Sequence, residues 1–194
     1  CLKKGLDVNT PDSSGMTALM YATNKGHIEV VQALLARMDE KGINASNGKN
    51  KTALHLAAKK KNWGVVRLLL EQKEIKDTVN KHGKTVLMLA ILSKQIDIVK
   101  TLLEKKISST VFNVQHRASG YGALHLAAMG GNKEIVKALL EKMDDDVINA
   151  QDKDGNSALM IAVGRGNVAA VKALLASRRI DANARNVYGS SAQD

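Results

Sequence analysis

The sequence predicts an all-α fold, a solenoid of about five stacked helix-turn-helix repeats joined by short β-hairpin-like loops. Three observations predict it. A tetrad recurs as TALM at Thr17–Met20, TALH at Thr52–His55, TVLM at Thr85–Met88, GALH at Gly122–His125 and SALM at Ser157–Met160, with spacings of 35, 33, 37 and 35 residues. A second apolar block follows each tetrad: IEVVQALL, VVRLLL, IDIVKTLL, EIVKALL and VAAVKALL. A glycine stands two residues before the tetrad at Gly15, Gly83, Gly120 and Gly155, and Asn50 replaces it in the second copy.

Each element then has a physical reason. The tetrad opens a short helix with apolar residues at helical spacing, such as Leu54, Ala57 and Ala58. The second block is a helix whose apolar face is set by positions i, i+1, i+4 and i+5, as in Val30, Val31, Leu34 and Leu35. A break between the two falls at Gly26, Gly131 or Gly166, where a helix C-terminus wants a left-handed residue. Helices this short are marginal alone in water, and one pair cannot bury its apolar face. Stacked neighbours can. The stretches RMDEKGINA (37–45) and KMDDDVINA (142–150) read as additions to connecting loops, which tolerate them. The longest, KKISSTVFNVQ (105–115), reads first as a loop insertion without a role of its own, with a slight break in the stack near residues 107–116 as the alternative.

The period and the tetrad together resemble the ankyrin repeat. The family's Asn followed by Asp-x-x-Gly-x-Thr looks like Asn9 with Asp12-Ser-Ser-Gly15-Met-Thr17, and Asn149 with Asp152-Lys-Asp-Gly155-Asn-Ser157. Its Gly-His between helices looks like Gly26-His27. The tetrad proline is absent throughout, replaced by Ala18, Ala53, Val86, Ala123 and Ala158. The tetrad histidine, which in the family bonds neighbouring backbone, is kept at His55 and His125 and replaced by Met20, Met88 and Met160. Those three repeats are expected to rely on packing. The resemblance implies a single array over 1–194, with repeats at about 10–43, 44–77, 78–113, 114–149 and 150–183 and partial repeats at 1–9 and 184–194. A chain that begins and ends inside repeats is expected to be part of a longer protein.

Catalytic and metal chemistry finds no foothold in the sequence. Cys1 is the only cysteine, which excludes a disulfide framework and a Cys-based zinc site. His27, His55 and His125 hold repeat-signature positions. His82 is expected at a hairpin tip and His116 in the long loop, neither with a partner at i+3 or i+4. Gly164-Arg-Gly166-Asn-Val-Ala169 imitates a dinucleotide fingerprint, but that motif needs a preceding strand, and a helix is expected there. Asn44-Ala-Ser46 and Asn50-Lys-Thr52 read as turns, and Asp144-Asp145-Asp146 as a solvated acidic turn. Catalytic residues, cofactors and metals are all expected to be absent.

The resemblance implies instead a protein-interaction module gripping its partner on a concave face of hairpin tips and first helices. Mapped position by position, that face takes Met16, Lys25, Lys49, Lys51, Lys59, Lys60, Lys81, His82, Lys84, Leu92, Tyr121, Met129 and Arg165. Leu92, Tyr121 and Met129 are expected to be exposed anchors. Lysines 59–61 read as a solvated face before a nuclear-targeting signal. The formal charge is +10, from 29 Lys+Arg and 19 Asp+Glu, and it is not spread evenly. Residues 41–106 hold fifteen Lys/Arg against five Asp/Glu, residues 1–40 four against five, and residues 107–194 ten against nine. A basic patch of this kind implies a protein partner with an acidic segment. Aromatics at 3% and a lysine-dominated patch argue against nucleic-acid recognition, although an anionic surface or the targeting part of a larger enzyme or host-directed effector are alternative readings. No apolar run reaches the roughly 20 residues of a membrane span. A monomer working inside the cell is expected, with no small-molecule substrate.

Overall fold

The computed structural model describes residues 7–105 and 114–194. The alternative of a break at 107–116 falls largely outside them, as does Cys1. Among the described residues every regular element is a helix. They form two compact units, up to Lys81 and from His82.

The first unit contains α1 (Ala18–Lys25), α2 (Ile28–Leu35), α3 (Glu40–Ile43), α4 (Ala53–Lys60) and α5 (Trp63–Glu71). First helix stacks on first helix, α1 on α4, and second on second, α2 on α5. The second unit contains α6 (Val86–Leu92), α7 (Ile96–Glu104), α8 (Ala123–Gly130), α9 (Lys133–Lys142), α10 (Asp145–Ile148), α11 (Ala158–Gly164) and α12 (Val168–Leu175). There α8 lies between α6 and α11, and α9 between α7 and α12.

The tetrads are helix starts. Thr17, Thr52, Thr85 and Ser157 are extended N-cap residues whose hydroxyls accept from the backbone N–H three residues on, at 3.2–3.4 Å. Gly122 has no hydroxyl to offer, and His125 takes over: its Nδ1 accepts from the Gly122 N–H at 3.2 Å. The helices end as expected, with Gly26 and Gly131 as left-handed caps and Gly166 left-handed in the turn after α11. Lys61 caps α4 in the same conformation, and Lys94 adopts it after α6, two positions where sequence offers no glycine. The helix expected before Gly166 is α11, which removes the strand that a dinucleotide fingerprint needs.

Central second helices bury the expected face: Val65, Val66, Leu69 and Leu70 in α5; Ile98, Val99, Leu102 and Leu103 in α7; Ile135, Val136, Leu139 and Leu140 in α9. In α2 the expectation is too broad. Val31 and Leu35 are buried, but Val30 is 49% exposed. Met20 and Met88 are fully buried, so packing does replace the histidine there.

The additions at 37–45 and 142–150 are more than loop. Each contains an extra helical turn, α3 and α10, with Ile43 and Ile148 buried beneath it. Asp39 caps α3, its carboxylate accepting from the Gly42 N–H at 2.8 Å. The asparagine after each turn staples the next repeat. Asn44 donates to the Glu74 carbonyl and accepts from the Lys76 N–H, both at 2.8 Å; Asn149 does the same with Arg179 and Asp181, again at 2.8 Å. Arg179 closes the second staple by pairing with Asp145 and donating to the carbonyls of Leu140 and Met143. Asp145 is therefore part of an ion pair as well as of an acidic turn.

Candidate functional site

The hairpin tips are built by one recurring device. Asp12, Asn47, Asp152 and Asn186 each turn a side-chain oxygen back on the tip, accepting from two backbone N–H groups at 2.8–3.1 Å. A carboxylate and a carboxamide serve equally because only an acceptor oxygen is needed. Tips then join side by side through single backbone bonds. In the first unit Gly48 donates to Ser14 and Lys81 to Lys49; in the second, Arg117 donates to His82, Lys153 to Ser119 and Val187 to Asp154.

In the first unit the expected site residues gather around the second tip and the end of α4. Lys49 is exposed on the tip, and Lys59 and Lys60 are exposed in the last turn of α4, where positive charge suits the helix dipole. Lys51 is half-buried between them. Its amine is harder to protonate than an ordinary lysine's, first because of burial and then because Lys59 and Lys49 stand beside it. Lys25 and Lys81 are exposed. Met16 is half-buried and bridges tips, its sulfur accepting from Asn47 Nδ2 at 3.4 Å. On the first tip, Asp12 is held far below the usual carboxylate range, chiefly by the Tyr21 hydroxyl at 2.7 Å and then by Ser14, and Tyr21 is raised in return.

In the second unit His82 and Arg165 are exposed and Lys84 is half-buried. Leu92 is 48% exposed at the end of α6. Two expected anchors need correction. Tyr121 is half-buried, its ring stacked nearly parallel on His125 with centroids 5.9 Å apart. Met129 is also half-buried, on the last turn of α8. Tyr121 is a cover for a buried histidine. Beneath it, His125 accepts at Nδ1 from Gly122, so its proton sits on Nε2, 3.1 Å from the Asn156 carbonyl of the next tip. Burial lowers the proton affinity of this ring.

His116, expected in the long loop, instead occupies the place in the fourth tip that Asp12 and Asp152 hold in theirs. The signal for this was present but offset. Asp12 and Asp152 precede their glycine by three residues, whereas His116 precedes Gly120 by four, and the extra residue gives a wider turn closed by a Gly120 N–H to His116 carbonyl bond of 2.8 Å. Among the described residues no three His, Cys, Asp or Glu side chains gather to hold a metal ion, and no helix is long and apolar enough to cross a membrane.

Stacked helix pairs, side-by-side tips and staples between repeats define a class, the repeat solenoids that bind other proteins on an extended surface. The chain belongs to the ankyrin-repeat family: a profile described as ankyrin repeats (3 copies) matches residues 39–113 and 110–186, and one described as ankyrin repeats (many copies) matches residues 1–35. Its relatives include protein glp-1 of Caenorhabditis elegans, 32% identical over 178 residues, covering 86% of this chain and 13% of that protein. NF-kappa-B inhibitor zeta of Bos taurus is 30% identical over 172 residues, covering 81% and 21%. The B-cell lymphoma 3 protein homolog of Mus musculus is 31% identical over 184 residues, covering 93% and 40%. The chain thus spans well under half the length of each. Family and relatives make it a protein–protein interaction module, and they point to a non-catalytic one.

Proposed function

We propose that this array binds an acidic segment of a partner protein, seated on the lysines of the second tip and the adjoining end of α4. The observation that carries this reading is Lys51, half-buried with its charge set against Lys49 and Lys59. Three like charges drawn together are unfavourable in the free protein, and a carboxylate placed among them relieves both their repulsion and the desolvation of Lys51. The fifteen-to-five excess of basic residues over 41–106 would extend the attraction to longer range and steer encounter. Lys25, Lys60 and Lys81 add exposed charge within the same unit. The chain covers only 13%, 21% and 40% of these relatives, and we read it as the docking portion of a longer protein that works inside the cell.

A glutamate-rich peptide tests this. Association with the Lys49→Glu, Lys51→Glu, Lys59→Glu triple variant is expected to be slower by about tenfold at low salt, with a much flatter dependence on ionic strength. Rates and salt slope unchanged from the parent would remove the basis for the reading.

A further inference from the structure

We propose that the tips of repeats three to five form a second seat for an acidic peptide segment, one whose grip tightens when His116 takes up a proton. The proposal rests on the interaction-module reading above and adds a distinct site and a regulation.

The backbone bonds from Arg117 to His82 (3.4 Å) and from Lys153 to Ser119 (3.3 Å) hold these three tips side by side. The position that is a carboxylate in the first and fifth tips, Asp12 and Asp152, is an imidazole in the fourth. The exchange turns a fixed negative group into one that can carry positive charge. Ser119 Oγ accepts from the Tyr121 N–H at 3.2 Å, so its own proton is free to point at His116 Nδ1, also 3.2 Å away. The neutral ring then carries its proton on Nε2.

Lys84 and His82 approach this ring from the third tip and Lys153 from the fifth. Arg117 is the exposed cation of its own tip. The acidic groups of the adjoining tip are Asp154, exposed, and Asp152, whose two oxygens already accept from Asp154, Asn156 and the Asn156 side chain. Burial, then Lys84, His82 and Lys153, all disfavour protonation of His116. It is therefore an uncharged group in a cationic setting at neutral pH. A carboxylate that pairs with Lys84 and Lys153 reverses the field on the ring and draws a proton onto it, so binding and proton uptake are coupled. The occupant fits a peptide better than a nucleic acid, since the aromatic ring at these tips, Tyr121, has its face taken by His125.

Fluorescence anisotropy with a labelled glutamate-rich peptide, at fixed ionic strength and at pH 7.5 and 6.0, tests this on the whole chain. Glutamates stay ionised across that range, so the change reports on the protein, and the parent is expected to bind about threefold or more tighter at pH 6.0. His116→Gln is expected to lose most of that tightening, keeping only what the exposed His82 of the third tip contributes. His116→Arg, with a permanent charge, is expected to bind tightly at both. Equal affinity of the parent at the two pH values, or full tightening in His116→Gln, would overturn this seat and leave the lysine seat standing. No binding at either pH would overturn both.

Discussion

Gly120→Ala is expected to lower stability by roughly 2–4 kcal/mol, far more than a single added methyl usually does. Two effects combine. Gly120 sits at φ +76°, where any Cβ is strained, and a Cβ built there lies 2.7 Å from the Lys153 backbone N and 3.1 Å from the Asp152 carbonyl carbon. Backbone cannot swing aside as a side-chain end can, so the fourth and fifth tips must part and the Lys153–Ser119 bond is lost. Gly166→Ala separates the two effects. It shares the left-handed φ, +65°, but meets nothing within 4 Å, so its loss is expected to be the conformational part alone, about 1 kcal/mol. Denaturant unfolding of both variants checks the difference, and equal losses would contradict tight tip-to-tip packing.

His125→Ala is expected to lower stability by about 2–4 kcal/mol near neutral pH. The change leaves the Gly122 N–H and the Asn156 carbonyl without their ring partner and opens space beneath Tyr121. It also changes the pH profile. The folded protein holds His125 below its unfolded proton affinity, so the neutral ring is favoured by folding. That contribution is fully present above the unfolded value, near pH 6.5, and is lost as pH falls through it towards the folded value. The parent is therefore expected to weaken on acidification from pH 7.5 to 5.5. His125→Ala is expected to weaken less over the same range, since its histidine no longer contributes. A variant with as steep a loss as the parent would mean that the ring is not held neutral.

Much of this fold is legible in the sequence. The i, i+1, i+4, i+5 apolar pattern located α5, α7 and α9, and the recurring tetrads located the first helix of each pair. Those signals are local, and so are readable. What was not readable depends on neighbours. Val30 stands in α2 where Val65 stands in α5, yet Val30 is 49% exposed while Val65 is buried. Tyr121 occupies a tip position that looked open, but a histidine four residues on turns under it. The turns α3 and α10 read as loop in the sequence, although Asp39 as a cap and the isoleucines at 43 and 148 mark them. His116 was displaced from its true register by one extra residue before Gly120. For the candidate site, sequence located the excess charge; only packing brings Lys51 between Lys49 and Lys59.

The central claim, that this is a binding surface for an acidic partner centred on those lysines, is tested most directly by mapping. Amide chemical shifts of the whole chain are followed while a glutamate-rich peptide is titrated in at physiological salt. The account predicts saturable shifts at Lys49, Lys51 and Lys59, with those on the outer face of α2 and α5, such as Gln32 and Arg67, unmoved. Shifts confined to the second helices, or spread evenly over every lysine without saturating, would contradict it.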